Sequence, residues 1–257
     1  MIHIPRKRFG QNFLHDRSII DNILGSIQAS PGEHWVEIGP GMGALTKPLL
    51  AKGIRLDVVE LDRDLVVLLK DKFGQHDNLQ IHSGDALRFD FAALADTNEK
   101  LRVIGNLPYN ISTPLMFHLL DSAACIQDMH FMLQKEVVDR ICAAPGNKQY
   151  GRLSVMMQYY CATELLFEVP PESFEPAPKV ISAIVRLIPH REPPVVVKDI
   201  ARLNTVVTAA FSQRRKTLRN ALKKIITEEQ IATLDIDPTL RAETIPLSDF
   251  AKLSHLL

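Results

Sequence analysis

The chain carries no surplus charge: 30 Lys and Arg balance 30 Asp and Glu over 257 residues, a formal net charge of zero. A global pull toward nucleic acid or a membrane surface is thereby excluded, and any such attraction has to come from local patches. Cysteine is scarce. Cys125, Cys142 and Cys161 form no CxxC pair, and no histidine cluster has metal-ligand spacing. This argues against a structural zinc site or a disulfide framework and fits a reducing compartment. No apolar run approaches the length of a membrane span. Residues 1–8 lack the apolar stretch of a signal peptide. A cytoplasmic protein with no membrane association is therefore expected. Internal repeats and low-complexity tracts are also missing.

What is there suffices for a sizeable core, since 46% of the residues are hydrophobic and 23% charged. Short apolar runs at 35–38, 56–61, 79–82, 101–104, 129–133, 165–169 and 183–187 read as strands. Helical patterns fall between them at 17–28, 43–52, 63–73, 114–123, 135–143 and 151–161. Thr113-Pro114 is a good helix start, with Thr as cap and Pro at the first helical position. The alternation predicts an α/β fold around a mostly parallel seven-stranded sheet. The last two strands are joined by too few residues for a crossover helix and should be antiparallel. Arg191-Glu-Pro-Pro-Val reads as a linker. Beyond it Ile200, Leu203 and Val207, then Leu218, Leu222 and Ile225, recur at helical spacing. Two domains are expected, 1–190 and a small all-helical 191–257.

Asn106-Leu107-Pro108-Tyr109 ends the strand at 101–104. An amide oxygen and a backbone carbonyl can accept hydrogen bonds from an exocyclic amine, and a ring can stack on the base that carries it. Taken alone the tetrapeptide reads equally well as a strand end turned by Pro. Earlier, Glu37-Ile-Gly39-Pro-Gly41-Met-Gly43 leads from a strand into a helix. The spacing is GxGxG, not the GxGxxG of the dinucleotide fingerprint. Glu60 ends the next strand, where a carboxylate can accept from ribose hydroxyls, and Asp85 follows the third, where it can accept from an adenine amine. A glycine turn alone is weak evidence. Glu37, the three glycines, Glu60 and Asp85 on three successive strand ends are not, because in an open parallel sheet those ends meet in one crevice. The set resembles the S-adenosylmethionine-binding half of Rossmann-like methyltransferases.

With Arg8-Phe-Gly-Gln-Asn-Phe-Leu14, Gly84-Asp85-Ala86, Phe174-Glu-Pro-Ala-Pro-Lys-Val and Phe211-Ser-Gln-Arg-Arg-Lys-Thr-Leu in the same order, the chain closely resembles the KsgA/Dim-type small-subunit rRNA adenine-N6,N6-dimethyltransferases. The resemblance implies that Asn12 and Leu14 close over S-adenosylmethionine, Gly39 touches its methionine part, Glu60 its ribose and Asp85 its adenine. It implies that Asn106 lies between cofactor and target amine, with Asn106 and Leu107 as acceptors, and that Tyr109 and Phe174 pack on the flipped adenine. The implied reaction adds two methyls to each of two adjacent adenosines in a hairpin near the 3′ end of small-subunit rRNA, within the small ribosomal subunit. No metal and no general base are called for. Two bland alternatives stay open: Phe9, Phe13 and Leu14 as a hydrophobic lid, and Phe174 as core.

Residues 211–224 hold Arg214, Arg215, Lys216, Arg219, Lys223 and Lys224 with no acidic residue. On one helix Arg215, Arg219 and Lys223 would share a side and meet phosphates. Arg6, Lys7 and Arg8 form a second cluster. A monomer is expected. Competing readings are a large-subunit rRNA adenine-N6 methyltransferase of the antibiotic-resistance type and a ribosome-assembly binding factor. An NAD enzyme is disfavoured because it gives Asn106 and Tyr109 no task. A DNA adenine methyltransferase lacks a base-reading domain here, and a mitochondrial transcription factor of the family lacks its presequence.

Overall fold

The computed structural model describes residues 11–95 and 99–257. Arg6, Lys7, Arg8, Phe9 and Gly10 lie outside the described residues. The chain forms two compact units. One comprises residues 1–138 with 164–189, the other residues 139–163 with 190–257.

The first unit is built on a seven-stranded sheet. In chain order its strands are β2 (His34–Ile38), β3 (Arg55–Glu60), β4 (Leu79–Ser83), β5 (Leu101–Asn106), β6 (Ile126–Gln134), β7 (Cys161–Val169) and β9 (Ser182–Pro189). Two very short strands, β1 (Phe13–Leu14) and β8 (Phe174–Glu175), pair antiparallel in a separate ribbon. Across the sheet the order is β4-β3-β2-β5-β6-β9-β7. β2 through β6 are parallel, and β9 enters antiparallel to β6. Successive residues of β2, β3, β5 and β6 are buried, so both faces of the sheet are covered there. The expected mostly parallel, seven-stranded Rossmann-like sheet is the one observed.

Helices α1 (Arg17–Ile27), α2 (Thr46–Leu50), α3 (Arg63–Phe73), α4 (Ser112–Leu120) and α5 (Lys135–Cys142) follow the strands. Asp16 caps α1, its carboxylate accepting from the backbone of Ser18 and Ile19. Hydrogen bonds from the Ser18 and Ser173 hydroxyls, then from those two backbone N–H groups, hold its carboxyl below the usual range. Ile19, Ile20, Ile23 and Ile27 line one side of α1 and join Leu56 and Val58 of β3, Ile104 of β5 and Ile184 of β9 in one core. α2 is shorter than the expected 43–52: residues 41–45 form a turn, and Gly43 has φ +87°. A side chain at Gly43 would run into the Phe73 ring, so the backbone there takes a path only glycine follows easily.

A buried ion network closes the opposite end of the sheet. Arg102 on β5 donates from Nη2 and Nε to both carboxylate oxygens of Asp128 at 2.8 and 2.9 Å, and from Nη1 to Glu33 at 2.9 Å. Its guanidinium also lies 4.3 Å from the centroid of the Trp35 ring. Parallel register places Arg102 beside Trp35 on one neighbour and Asp128 on the other.

The second unit contains α6 (Arg152–Tyr160), α7 (Ile200–Phe211), α8 (Leu218–Leu222), α9 (Glu228–Ala232) and α10 (Leu247–Ser254). α7 packs against α6, α8 and α10. Phe211 stacks edgewise on Tyr150 and tilts onto Phe250, with ring centroids 6.1 and 5.6 Å apart. The division differs from the expected one at 190/191 by one segment. Residues 139–163 join the helical unit because α6 packs on α7. Ile226, not Ile225, completes the buried stripe with Leu218 and Leu222.

Replacing Arg102 with Met should cost about 3 kcal/mol, because it strands two carboxylates, one of them buried. Urea unfolding measures this; a loss below about 1 kcal/mol would make the network ornamental.

Candidate functional site

Along the sheet the chain moves outward from β2 through β3 to β4, then returns to place β5 on the other side of β2. That reversal opens a crevice beyond the carboxyl ends of β2 and β5. A cavity of about 360 Å³ lies there. Its wall includes Gly39, Glu60, Asp85, Asn106, Leu107 and Tyr109. Gln11, Asn12, Phe13 and Leu14 form a further side. Of the nine residues expected to bind cofactor or base, or to act beside them, Asn12, Leu14, Gly39, Glu60, Asp85, Asn106, Leu107 and Tyr109 line this one cavity.

Phe174 is the ninth and needs correction. It is 2% exposed, packs in the core with Leu14 and is not part of the cavity wall. Pairing of Leu14 with Phe174 in the β1–β8 ribbon turns its ring inward, so it does not face a base. What Phe174 does is anchor the N-terminal strap. The backbone N–H of His15 donates to the Ser173 carbonyl at 3.0 Å, on the same side.

The glycine loop is shaped for close approach. Gly39 and Gly41 have φ of +66° and +56°. A Cβ on Gly41 would sit 3.1 Å from the Phe13 ring, so the strap lies directly against the loop. Glu60 holds the loop from below: its carboxylate accepts from Gly41 N–H at 3.3 Å and Asp62 N–H at 2.9 Å. A carboxylate has about four acceptor sites, so acceptor capacity remains for a ligand hydroxyl. Burial raises the Glu60 carboxyl above its usual range. Glu37 is fully buried beneath the loop and accepts from the Thr46 hydroxyl at 2.6 Å. Burial, with repulsion from Glu60 and against the Thr46 bond, pushes it up to about 7. Asp85 accepts from Leu87 N–H at 3.0 Å, which fixes its side chain at the rim.

Asn106 is oriented by an interaction the sequence did not suggest. Its Nδ2 donates to the Asn12 carbonyl at 3.0 Å. The amide nitrogen is thereby committed to the strap, and Oδ1 is left as the acceptor. Leu107 N–H donates to the Met132 carbonyl at 3.2 Å, which fixes the neighbouring peptide. The strap has a second tie, from Gln11 Nε2 to the Asp62 carboxylate at 3.1 Å. Neither tie has a sequence signal, since each joins residues more than 50 positions apart.

The basic segment also differs from expectation. Residues 212–216 form turns and bends, Thr217 bridges to Arg241, and α8 begins only at Leu218, so Arg215 is not on the helix with Arg219. Lys223 is its C-cap. Arg214 pairs with Glu243 at 3.3 Å and Arg219 with Glu228 at 3.0 Å. Arg215, Lys216 and Lys223 are exposed.

A buried carboxylate with acceptor capacity to spare, a positive-φ glycine loop and no phosphate-cradling fingerprint fit an adenosine with a methionine tail: this is a Rossmann-like class I methyltransferase that uses S-adenosylmethionine. The family model for ribosomal RNA adenine dimethylase matches residues 2–257. The chain belongs to that family. It is 58% identical over 255 residues to the ribosomal RNA small subunit methyltransferase A of Pseudomonas aeruginosa, covering 99% of this chain and 95% of that one. Among solved structures, a dimethyladenosine transferase from Plasmodium falciparum is similar with a TM-score of 0.77 at 25% identity, covering 94% of this chain and 95% of that one. The 23S rRNA methyltransferase ErmE is similar with a TM-score of 0.76 at 25% identity, covering 96% of this chain and 99% of that one.

Glu37 sets a pH dependence. With a folded-state value of about 7 against an ordinary 4.5, the folded chain keeps a proton that the unfolded chain releases. Stability should therefore fall as pH rises through that window. Glu37→Gln keeps an acceptor for Thr46 and removes the charge. Its advantage over wild type should grow by on the order of 2–3 kcal/mol between pH 5 and pH 8 in urea unfolding. A constant difference would contradict the buried, proton-retaining carboxyl.

Proposed function

We propose that this chain dimethylates N6 of two adjacent adenosines in a hairpin near the 3′ end of 16S rRNA, with S-adenosylmethionine as methyl donor, during small-subunit assembly in the cytoplasm. The observation that carries the chemistry is Asn106: with Nδ2 held by the Asn12 carbonyl, its Oδ1 is left to accept from an amine. The small-subunit substrate is supported by 58% identity to a small-subunit enzyme against 25% to a large-subunit one of the same fold. Fold alone does not choose between them.

S-adenosylmethionine, when bound, supplies a methyl group activated by its sulfonium. Glu60 would accept from the ribose hydroxyls, Asp85 from the adenine amine, and Gly39 would let the backbone lie against the methionine part. Asn12 and Leu14 would cover the ligand. For the target base, Asn106 Oδ1 and the Leu107 carbonyl would take the two N6 hydrogens. That favours a pyramidal nitrogen and frees its lone pair, which adenine otherwise delocalises into the ring. Catalysis is then positioning and electrostatics. The amine loses its proton only after it becomes cationic, so no strong base acts beforehand. Tyr109 would stack on the extruded adenine and offset part of the unstacking cost.

Arg215, Lys216 and Lys223 would contact phosphates, and Arg214 and Arg219 would do so by exchanging their carboxylate partners. Such contacts place the RNA and do not read its sequence. The chain would act as a monomer.

Asn106→Ala should lower single-turnover methyl transfer to undermethylated small subunits by about 100-fold or more at saturating cofactor. Retained turnover would favour a binding factor. Arg215→Ala and Lys216→Ala should each weaken subunit binding and reduce the slope of log K against log salt by about one. An unchanged slope would remove these residues from the interface.

A further inference from the structure

We propose that Ser182 is a positioning residue for this reaction, acting through Tyr109; the inference rests on the function proposed above. The Tyr109 phenol and the Ser182 hydroxyl are 3.0 Å apart. Ser182 is the first residue of β9 and is 1% exposed. Antiparallel register sets it opposite Gln134 at the end of β6, and Lys135 N–H donates to the Ile181 carbonyl at 2.9 Å just before it. The hydroxyl is thus carried on backbone that is bonded on both sides of it, not on a loop free to drift.

The other end of Tyr109 is fixed as well. Ile111 N–H donates to the Pro108 carbonyl at 3.1 Å, closing a turn, and the Ser112 hydroxyl donates to the Tyr109 carbonyl at 3.2 Å. A tyrosine has two side-chain torsions. With its backbone held by the turn and its phenol held by Ser182, both torsions are set before any base arrives. The ring stands in the cavity wall beside Asn106 and Leu107, the acceptors proposed for the amine. A base stacked on a ring so fixed has its N6 placed relative to those acceptors. On a ring that swings, the same stacking would hold the base without aiming it.

Phe174 strengthens the case by what it does not do. Its ring is in the core, so of the two aromatics anticipated for the base only Tyr109 borders the cavity. A single platform needs its own restraint. Burying a serine hydroxyl without a partner is unfavourable, and the partner here is the tyrosine at the site.

The test compares wild type, Ser182→Ala, Tyr109→Phe and the double variant on undermethylated small subunits, with cofactor affinity measured by equilibrium binding. Each single change removes one end of the same bond, and Tyr109→Phe keeps the stacking ring. Each should lower kcat by about 3- to 10-fold, leave cofactor affinity unchanged, and the double variant should be no slower than the slower single one. Ser182→Ala with wild-type turnover, losses that multiply, or cofactor affinity that falls in step with turnover would overturn the role. If Ser182→Ala fails to fold, Tyr109→Phe decides alone: full turnover without the phenol overturns the tether. A wild-type chain that leaves adenosine unmodified would overturn the proposed function itself, which is a separate result from an active wild type with an equally active Ser182→Ala.

Discussion

The site depends on the pairing of β2 with β5. These strands leave the sheet at the point where its order reverses, and everything chemical in the first unit is hung on their ends. The approach is close. Gly105 pairs with Ile38, and a Cβ on Gly105 would lie 2.6 Å from the Ile38 carbonyl, so any side chain would push the two strands apart. Gly39 then turns away on one side, with space for a Cβ 3.7 Å from the Asn106 carbonyl, while Asn106 ends β5 on the other. The glycine loop and the Asn106 peptide are neighbours because Gly105 lets the two strands approach and Gly39 supplies the positive-φ turn.

A second constraint couples the two halves of the chemistry. One side chain, Asn106, holds the N-terminal strap with its nitrogen and leaves its oxygen to the reaction. The strap in turn lies on the glycine loop through Phe13, and is fastened by the two-residue ribbon to Phe174. In the proposed function, covering the cofactor and orienting the acceptor would therefore be one structural event. Glu60 plays the same double part at the neighbouring strand end, bracing the loop through Gly41 while keeping acceptor sites for a ligand. The carboxylates under the loop are raised by burial, which is the electrostatic cost of packing a polar cradle into a dry crevice.

Much of this was legible in the residues. The seven strands announce themselves as short apolar runs, and α3 falls on the expected residues 63–73 because its periodicity is strong and Asp62 caps it. Glu60, Asp85 and Asn106 could be placed in one crevice because strand-end positions in a parallel sheet converge whatever the loops do. Other features were not legible for physical reasons. The β1–β8 ribbon has two residues per strand, too few for a period, and joins segments about 160 positions apart. Phe174 sits beside prolines in a motif that looks like a binding loop, yet its side chain is spent on core packing. The basic run from Arg214 to Lys224 keeps helical spacing on paper, but the turns and bends at 212–216 interrupt it, and Glu243 and Glu228 pair with Arg214 and Arg219. Ser182 is a short polar residue in an apolar strand, and nothing in its neighbours names its partner.

The most direct test is methyl transfer from labelled S-adenosylmethionine to small ribosomal subunits that lack the modification, with nucleoside analysis of the RNA and large-subunit RNA alongside. N6,N6-dimethyladenosine confined to small-subunit RNA is the result this structure and its relatives predict. Label confined to large-subunit RNA, or cofactor binding with no label in either RNA, would contradict it.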